Sequence, residues 1–235
     1  MIPDKLIDNF SCDEKKFSAC EKNNWNITGK GEIFIKGQLE NLKLSLNFNN
    51  TIGCKLFLGN NVVGNLKLIF LHNNSTIWIG DGAKLANLEI RSLQKEDLIA
   101  IGNFTTSVGS CLFISGQMAG SSNPSIIIGD DCMFANEVII RNSDAHPIID
   151  RSNNKQINQP LASVIIEPHV WIGQSVSILK DVKIGACSII GLGSIVTKDI
   201  PRFSVVGGVP ARIIKQNNKK NILKSSKLDL PISTF

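Results

Sequence analysis

A neutral imidazole able to take a proton from a hydroxyl and hand it on is the first chemistry this sequence offers. The chain has three histidines, His72, His146 and His169. Histidine, with an unperturbed pKa near 6.5, works as acid or base at neutral pH. His146 lies in a long polar run from Arg141 to Ser163, and runs that leave a regular scaffold commonly carry function. Asp144, two residues before it, is placed to hold the ring in one tautomer. A backbone carbonyl would serve equally, leaving Asp144 as a turn residue. His72 and His169 stand 74 and 23 residues away, unlike a clustered zinc-ligand spacing, so no metal is expected.

The elements that position these groups belong to a chain of 235 residues, 43% hydrophobic, enough for one sizeable domain or two small ones with a packed core. No stretch approaches the roughly 18 apolar residues of a membrane helix, and the start, MIPDKLIDNFSCDEKK, lacks an apolar signal segment. No transmembrane segment and a cytoplasmic location are therefore expected. Six cysteines without a CxxC pair read as reduced thiols. Residues 1–210 carry 19 Lys and Arg against 19 Asp and Glu, so the net charge of +5 resides in the tail, where six cations face Asp229. That pattern suits a local anionic partner or a solvated tail, and it does not suggest a nucleic-acid surface.

From Ile166 every sixth residue is aliphatic: Ile166, Ile172, Ile178, Ile184, Ile190 and Val196. Ile, Leu and Val make up 67 of 235 residues, so six such hits have a chance probability of about 1 in 2,000. Small or β-branched residues follow four places later, and Gly recurs at Gly173, Gly185 and Gly191. A period of six fits short extended segments joined by tight corners, three to an 18-residue coil, with the aliphatics stacked inside. Upstream, LGNNVV at 58, IGDGAK at 79, IGNFTT at 101 and IGDDCM at 128 repeat the start at spacings of 21, 22 and 27, which implies insertions. The expected fold is all-β, a parallel β-helix over 26–213 with a protruding loop at 141–163. Residues 1–25 are expected to form an N-terminal cap and 214–235 a basic, helical or loose tail.

The repeat resembles the left-handed β-helix (hexapeptide-repeat) acyltransferases. The run VIIEPHVWIGQSVSILKDVKIGACSIIGLGSIVTKDIPRFSVVGGVPARIIK, from Val164 to Lys215, resembles the C-terminal half of coenzyme A dependent sugar O-acetyltransferases. IGDDCMFANEVIIRNSDAHPI, from 128 to 148, is similar to a segment of bacterial sialic acid and polysialic acid capsule O-acetyltransferases. This resemblance implies a homotrimer using acetyl-CoA as co-substrate and a carbohydrate acceptor, with His146 of SDAHPI as the base and Trp171 beside it as an acceptor or thioester contact. It further implies a donor site on Gly173, Gly191, Gly193, Lys198, Arg212 and Lys215. Two departures concern the acceptor. Where galactoside and maltose enzymes carry an Asn, this chain offers Val108 flanked by Ser107, the substituted acceptor contact; and Thr197 stands where some capsule enzymes have a Tyr. The rival readings are an N-acetyltransferase of a nucleotide-linked amino sugar, and a non-catalytic hexapeptide scaffold.

Overall fold

The computed structural model describes Ser18–Ala19, residues 25–116 and residues 124–216. Among these there is no helix; the chain winds into a parallel left-handed β-helix of about seven turns. One face is carried by Glu32–Ile35, Lys55–Leu58, Thr76–Ile79, Leu98–Ile101, Ile126–Ile128, Val164–Ile166 and Lys183–Ile184, each in parallel register with the next. The second face ends in Met133–Phe134, Trp171–Ile172, Ile189–Ile190 and Ser204–Gly207, and the third in Val138–Arg141, Ser177–Ile178 and Ile195–Val196. All six aliphatics of the six-residue series are fully buried. They stack coil on coil, so the axis of the solenoid is its core.

The corners explain the recurring Ile-Gly-Asp and Ile-Gly-Asn starts. Asn60, Asp81, Asn103 and Asp130 form a ladder in which each side-chain oxygen accepts the backbone N–H of its equivalent one coil earlier. Asn60 N–H donates to Asp81 Oδ1 at 2.9 Å, Asp81 N–H to Asn103 Oδ1 at 2.8 Å, and Asn103 N–H to Asp130 Oδ1 at 2.6 Å. The next equivalent, Pro168, has no side-chain oxygen to accept the Asp130 N–H, and the ladder stops there. The next residue of each corner adopts the left-handed conformation, from Asn61 and Gly82 through Phe104, Asp131, His169 and Cys187 to Phe203, with φ of 53° to 66°. Its N–H bonds the carbonyl one coil back, and this compensates for the strain of a non-glycine residue there.

The six-residue period does not extend through the N-terminal half. There the second and third faces are single strands, Val63–Phe70, Lys84–Ser92 and Thr106–Ser115, which turn the corner through an irregularity in register rather than a break. The register shift accounts only for the one-residue difference between the coils of 21 and 22. The excess over 18 lies in the longer connection from the third face back to the first, Leu68 to Ile79 and Ile90 to Ile101. At the other end, Arg212–Gln216 pairs antiparallel with Ser204–Gly207, so Ile214 to Gln216 are strand, not helical or loose as expected; residues 217–235 lie outside the described residues. Of residues 1–24, only Ser18–Ala19 is described, antiparallel to Phe34–Ile35. Glu167, 2% exposed, takes the place of a corner Gly. Burial opposes its ionisation, but Arg202, the Ala186 N–H and Lys183 outweigh this and hold its carboxyl at about 2. No helix in the described residues is long and apolar enough to cross a membrane.

Candidate active site

The polar run leaves the solenoid at the end of the third-face strand Val138–Arg141 and returns at Val164–Ile166. It carries a small hairpin, Ile149–Asp150 with Lys155–Gln156. His146 is exposed, and no described side chain hydrogen-bonds its ring. Its backbone is held at both ends of the peptide: its N–H donates to Asp144 O at 2.8 Å, and its carbonyl accepts from Asn158 Nδ2 at 2.9 Å. Asp144 faces elsewhere. Its Oδ2 accepts from Lys180 and, at 3.0 Å, from Asn158 Nδ2. The expected contact between the Asp144 carboxylate and the imidazole is not formed, because Lys180 and Asn158 draw the carboxylate to the solenoid side of the loop.

Beneath this loop lies a buried polar network that sequence reasoning missed. Asn142, fully buried, accepts from Gly116 N–H at 2.7 Å and donates to Ser115 Oγ and Pro124 O, both at 2.7 Å. Ser143 donates to Gly116 O, and Ser125 N–H donates to Ser163 Oγ at 2.9 Å. The feet of the two excursions, 116 to 125 and 142 to 163, are thereby stapled together. The only signal in the sequence was a pair of adjacent polar residues, Asn142 and Ser143, continuing a strand of inward aliphatics.

Asp97, 2% exposed, closes this network, accepting from Ser115 Oγ at 2.6 Å and from Gln94 Nε2 at 3.1 Å. Its other oxygen is buried without a hydrogen-bond partner. Burial raises its pKa to about 6, against the hydrogen bonds that favour the charge. A carboxyl whose folded pKa lies above its unfolded value near 3.8 binds its proton more tightly in the fold. Its contribution is therefore most favourable below about pH 4 and is lost as pH rises through about 6, by an amount on the order of 3 kcal/mol. Asp97→Asn should remove this dependence, raising the melting temperature at pH 8 relative to wild type while changing it little at pH 4. Thermal unfolding at the two pH values checks it.

The remaining expected site residues fall into two groups. On the second face, register places Thr106, Met133, Trp171, Ile189 and Val205 in one outward column. Met133 is 50%, Trp171 49% and Ile189 37% exposed, making an apolar strip of a kind that marks a binding surface. Gly173 and Gly191 stack beside it, their N–H groups donating to Ile190 O and Val206 O at 2.8 Å. Gly193 forms the adjoining corner with open space around it, and Arg212 and Lys215 extend the same sheet, both exposed. Lys198 stands apart, exposed at the far edge of the third face and one coil beyond Lys180, its equivalent by register.

Two expectations do not fit the single chain. Trp171 lies on the second face, whereas His146 rises from the far edge of the third, so the faces of one solenoid keep them apart. Ser107 points inward, 7% exposed, with its Oγ accepting from Ala86 N–H at 3.1 Å; an alternating strand that exposes Val108 must bury its neighbour. His169 instead makes an exposed pair with Asp131, Nδ1 to Oδ2 at 2.8 Å. Among the described residues no three His, Cys, Asp or Glu converge as a metal site.

No family model matches the chain. The chain is 37% identical over 124 residues to the polysialic acid O-acetyltransferase of Escherichia coli O1:K1 / APEC, an alignment covering 52% of this chain and 40% of that protein. It is also 37% identical over 123 residues to the galactoside O-acetyltransferase of Escherichia coli (strain K12), covering 49% and 59%. The chain thus spans about half the length of these curated relatives. The crystal structure of the polySia specific acetyltransferase NeuO superposes with a TM-score of 0.74 at 33% identity, covering 88% of this chain and 95% of that one. A likeness of that extent, on a solenoid whose corners, loop and strip are those described above, means that the chain belongs to the hexapeptide-repeat acetyltransferases, the group that includes polysialic acid O-acetyltransferases.

Proposed function

We propose that the protein transfers an acetyl group from acetyl-CoA to a hydroxyl of a surface-polysaccharide sugar, sialic acid being the favoured acceptor, and that it works as a homotrimer. The observation that carries this reading is His146, exposed on a clamped loop with no described side chain hydrogen-bonded to its ring. A neutral imidazole so held accepts the hydroxyl proton as the oxygen attacks the thioester carbonyl. The C–O bond forms, the C–S bond breaks, and the imidazolium returns its proton to the departing thiolate. Asp144 is not needed for proton transfer in this scheme.

The donor is assigned to the second face. The strip Met133, Trp171 and Ile189 suits the apolar pantetheine arm, the stacked Gly173 and Gly191 leave backbone within its reach, and Arg212 and Lys215 suit the phosphates. Because His146 and this strip occupy different sides of one solenoid, a complete site requires the His146 loop of one copy against the second face of the next. A closed threefold arrangement supplies that pairing three times.

The test is acceptor-dependent release of the coenzyme thiol. Addition of a sialic acid oligomer to purified protein and acetyl-CoA should accelerate release well above the hydrolytic background. Release promoted only by amino sugars would replace this reading with N-acetylation.

A further inference from the structure

We propose that Lys180 is a positioning residue for His146, acting with Asn158 through the backbone of the loop, and that Asp144 serves this clamp rather than the imidazole. The inference rests on the reading of His146 as the base. Lys180 extends from the third face, its side chain 21% exposed, and its Nζ meets both ends of the loop segment: Asp144 Oδ2, and Asn158 O at 2.7 Å. Asn158 completes the ring of contacts. Its Nδ2 donates to Asp144 Oδ2 and to His146 O, and its Oδ1 accepts from Ile148 N–H at 2.7 Å and Gln156 Nε2 at 3.1 Å. A single lysine side chain from the rigid solenoid thus ties down the residues on either side of His146.

The geometry separates this role from two others. Were Asp144 the acceptor that fixes the imidazole tautomer, its carboxylate would lie within hydrogen-bond reach of a ring nitrogen; its recorded partners are Lys180 and Asn158 instead. Were Lys180 a phosphate ligand, its Nζ would be open, like that of Lys198 one coil on. Here the same Lys-Asp pair recurs, Lys180-Asp181 and Lys198-Asp199, with one lysine committed to the loop and the other exposed. Asp181 helps at the far foot, its Oδ1 accepting from Leu161 and Ala162 N–H at 2.6 and 2.7 Å. Holding a base in register with a bound hydroxyl is worth orders of magnitude in rate, so a loosened loop should reveal itself in turnover.

The experiment pairs hydrogen exchange with kinetics on full-length Lys180→Met, Lys180→Arg, Asn158→Ala and Asp144→Asn. In Lys180→Met, amides of residues 146 to 157 should exchange about tenfold faster or more. The kcat for acetylation of a sialic acid oligomer should fall about 10- to 100-fold with the KM for acetyl-CoA unchanged. Lys180→Arg should recover part of the loss, and Asp144→Asn should leave the midpoint of the pH–rate profile in place. Asn158→Ala, a half-buried substitution in the loop, gives the same reading if Lys180→Met does not fold. Unchanged exchange, faster exchange with unchanged kcat, or a midpoint lowered by about one unit in Asp144→Asn would each overturn the proposal. The reading beneath it fails differently: His146→Ala would then keep its activity, while the exchange data would still report on the clamp.

Discussion

His146→Ala lowers the rate of acetyl transfer about 100-fold or more, the usual share of a general base, while acetyl-CoA binds with nearly unchanged affinity. The asymmetry follows from the architecture. His146 stands on a loop that leaves the third face, whereas the residues proposed for the donor belong to the second face and to the strand Arg212–Gln216. His169→Ala, which removes only an exposed pair with Asp131, changes turnover little, as expected of a surface ion pair. Steady-state kinetics and calorimetric titration of acetyl-CoA against the two variants check both halves of the prediction.

Gly64→Ala destabilises the protein by several kcal/mol, whereas Gly193→Ala costs about 1 kcal/mol. Both glycines have positive φ, 129° and 69°. The difference lies in what surrounds them. A Cβ at Gly64 would fall 1.8 Å from Leu85 O, part of the backbone of the next coil, so the coils would have to part. At Gly193 nothing lies within 4 Å, leaving only the strain of a left-handed alanine. Gly64 marks the register irregularity where one long strand turns from the second face to the third. Denaturant midpoints of the two variants measure the contrast, and an equal, small loss in both would show that the coil spacing is softer than the geometry implies.

The fold was legible from Ile166 onward because each coil there has the same length, so one inward aliphatic per six residues reads as a pure period. It was less legible upstream, where longer connections from the third face back to the first, such as Ile90 to Ile101, add residues to each coil and break the period without changing which side chains point inward. The ladder of Asn60, Asp81, Asn103 and Asp130 was visible as a recurring letter, but its bonding between coils was not, since the partners lie 21 to 27 residues apart. His146 stood out because a loop interrupts the repeat. The direction of the Asp144 carboxylate could not be read, because it depends on Lys180, 36 residues further on. Ser107 was misjudged for want of register: one place along a strand exchanges solvent for core.

Mass spectrometry of an oligosialic acid incubated with acetyl-CoA and purified protein shows whether this solenoid esterifies a sugar hydroxyl. Wild type should add acetyl groups that mild alkali removes, as an ester requires, and His146→Ala should add almost none over the same interval. An oligosaccharide left unmodified by wild type, or acetylated equally well by His146→Ala, would contradict the account.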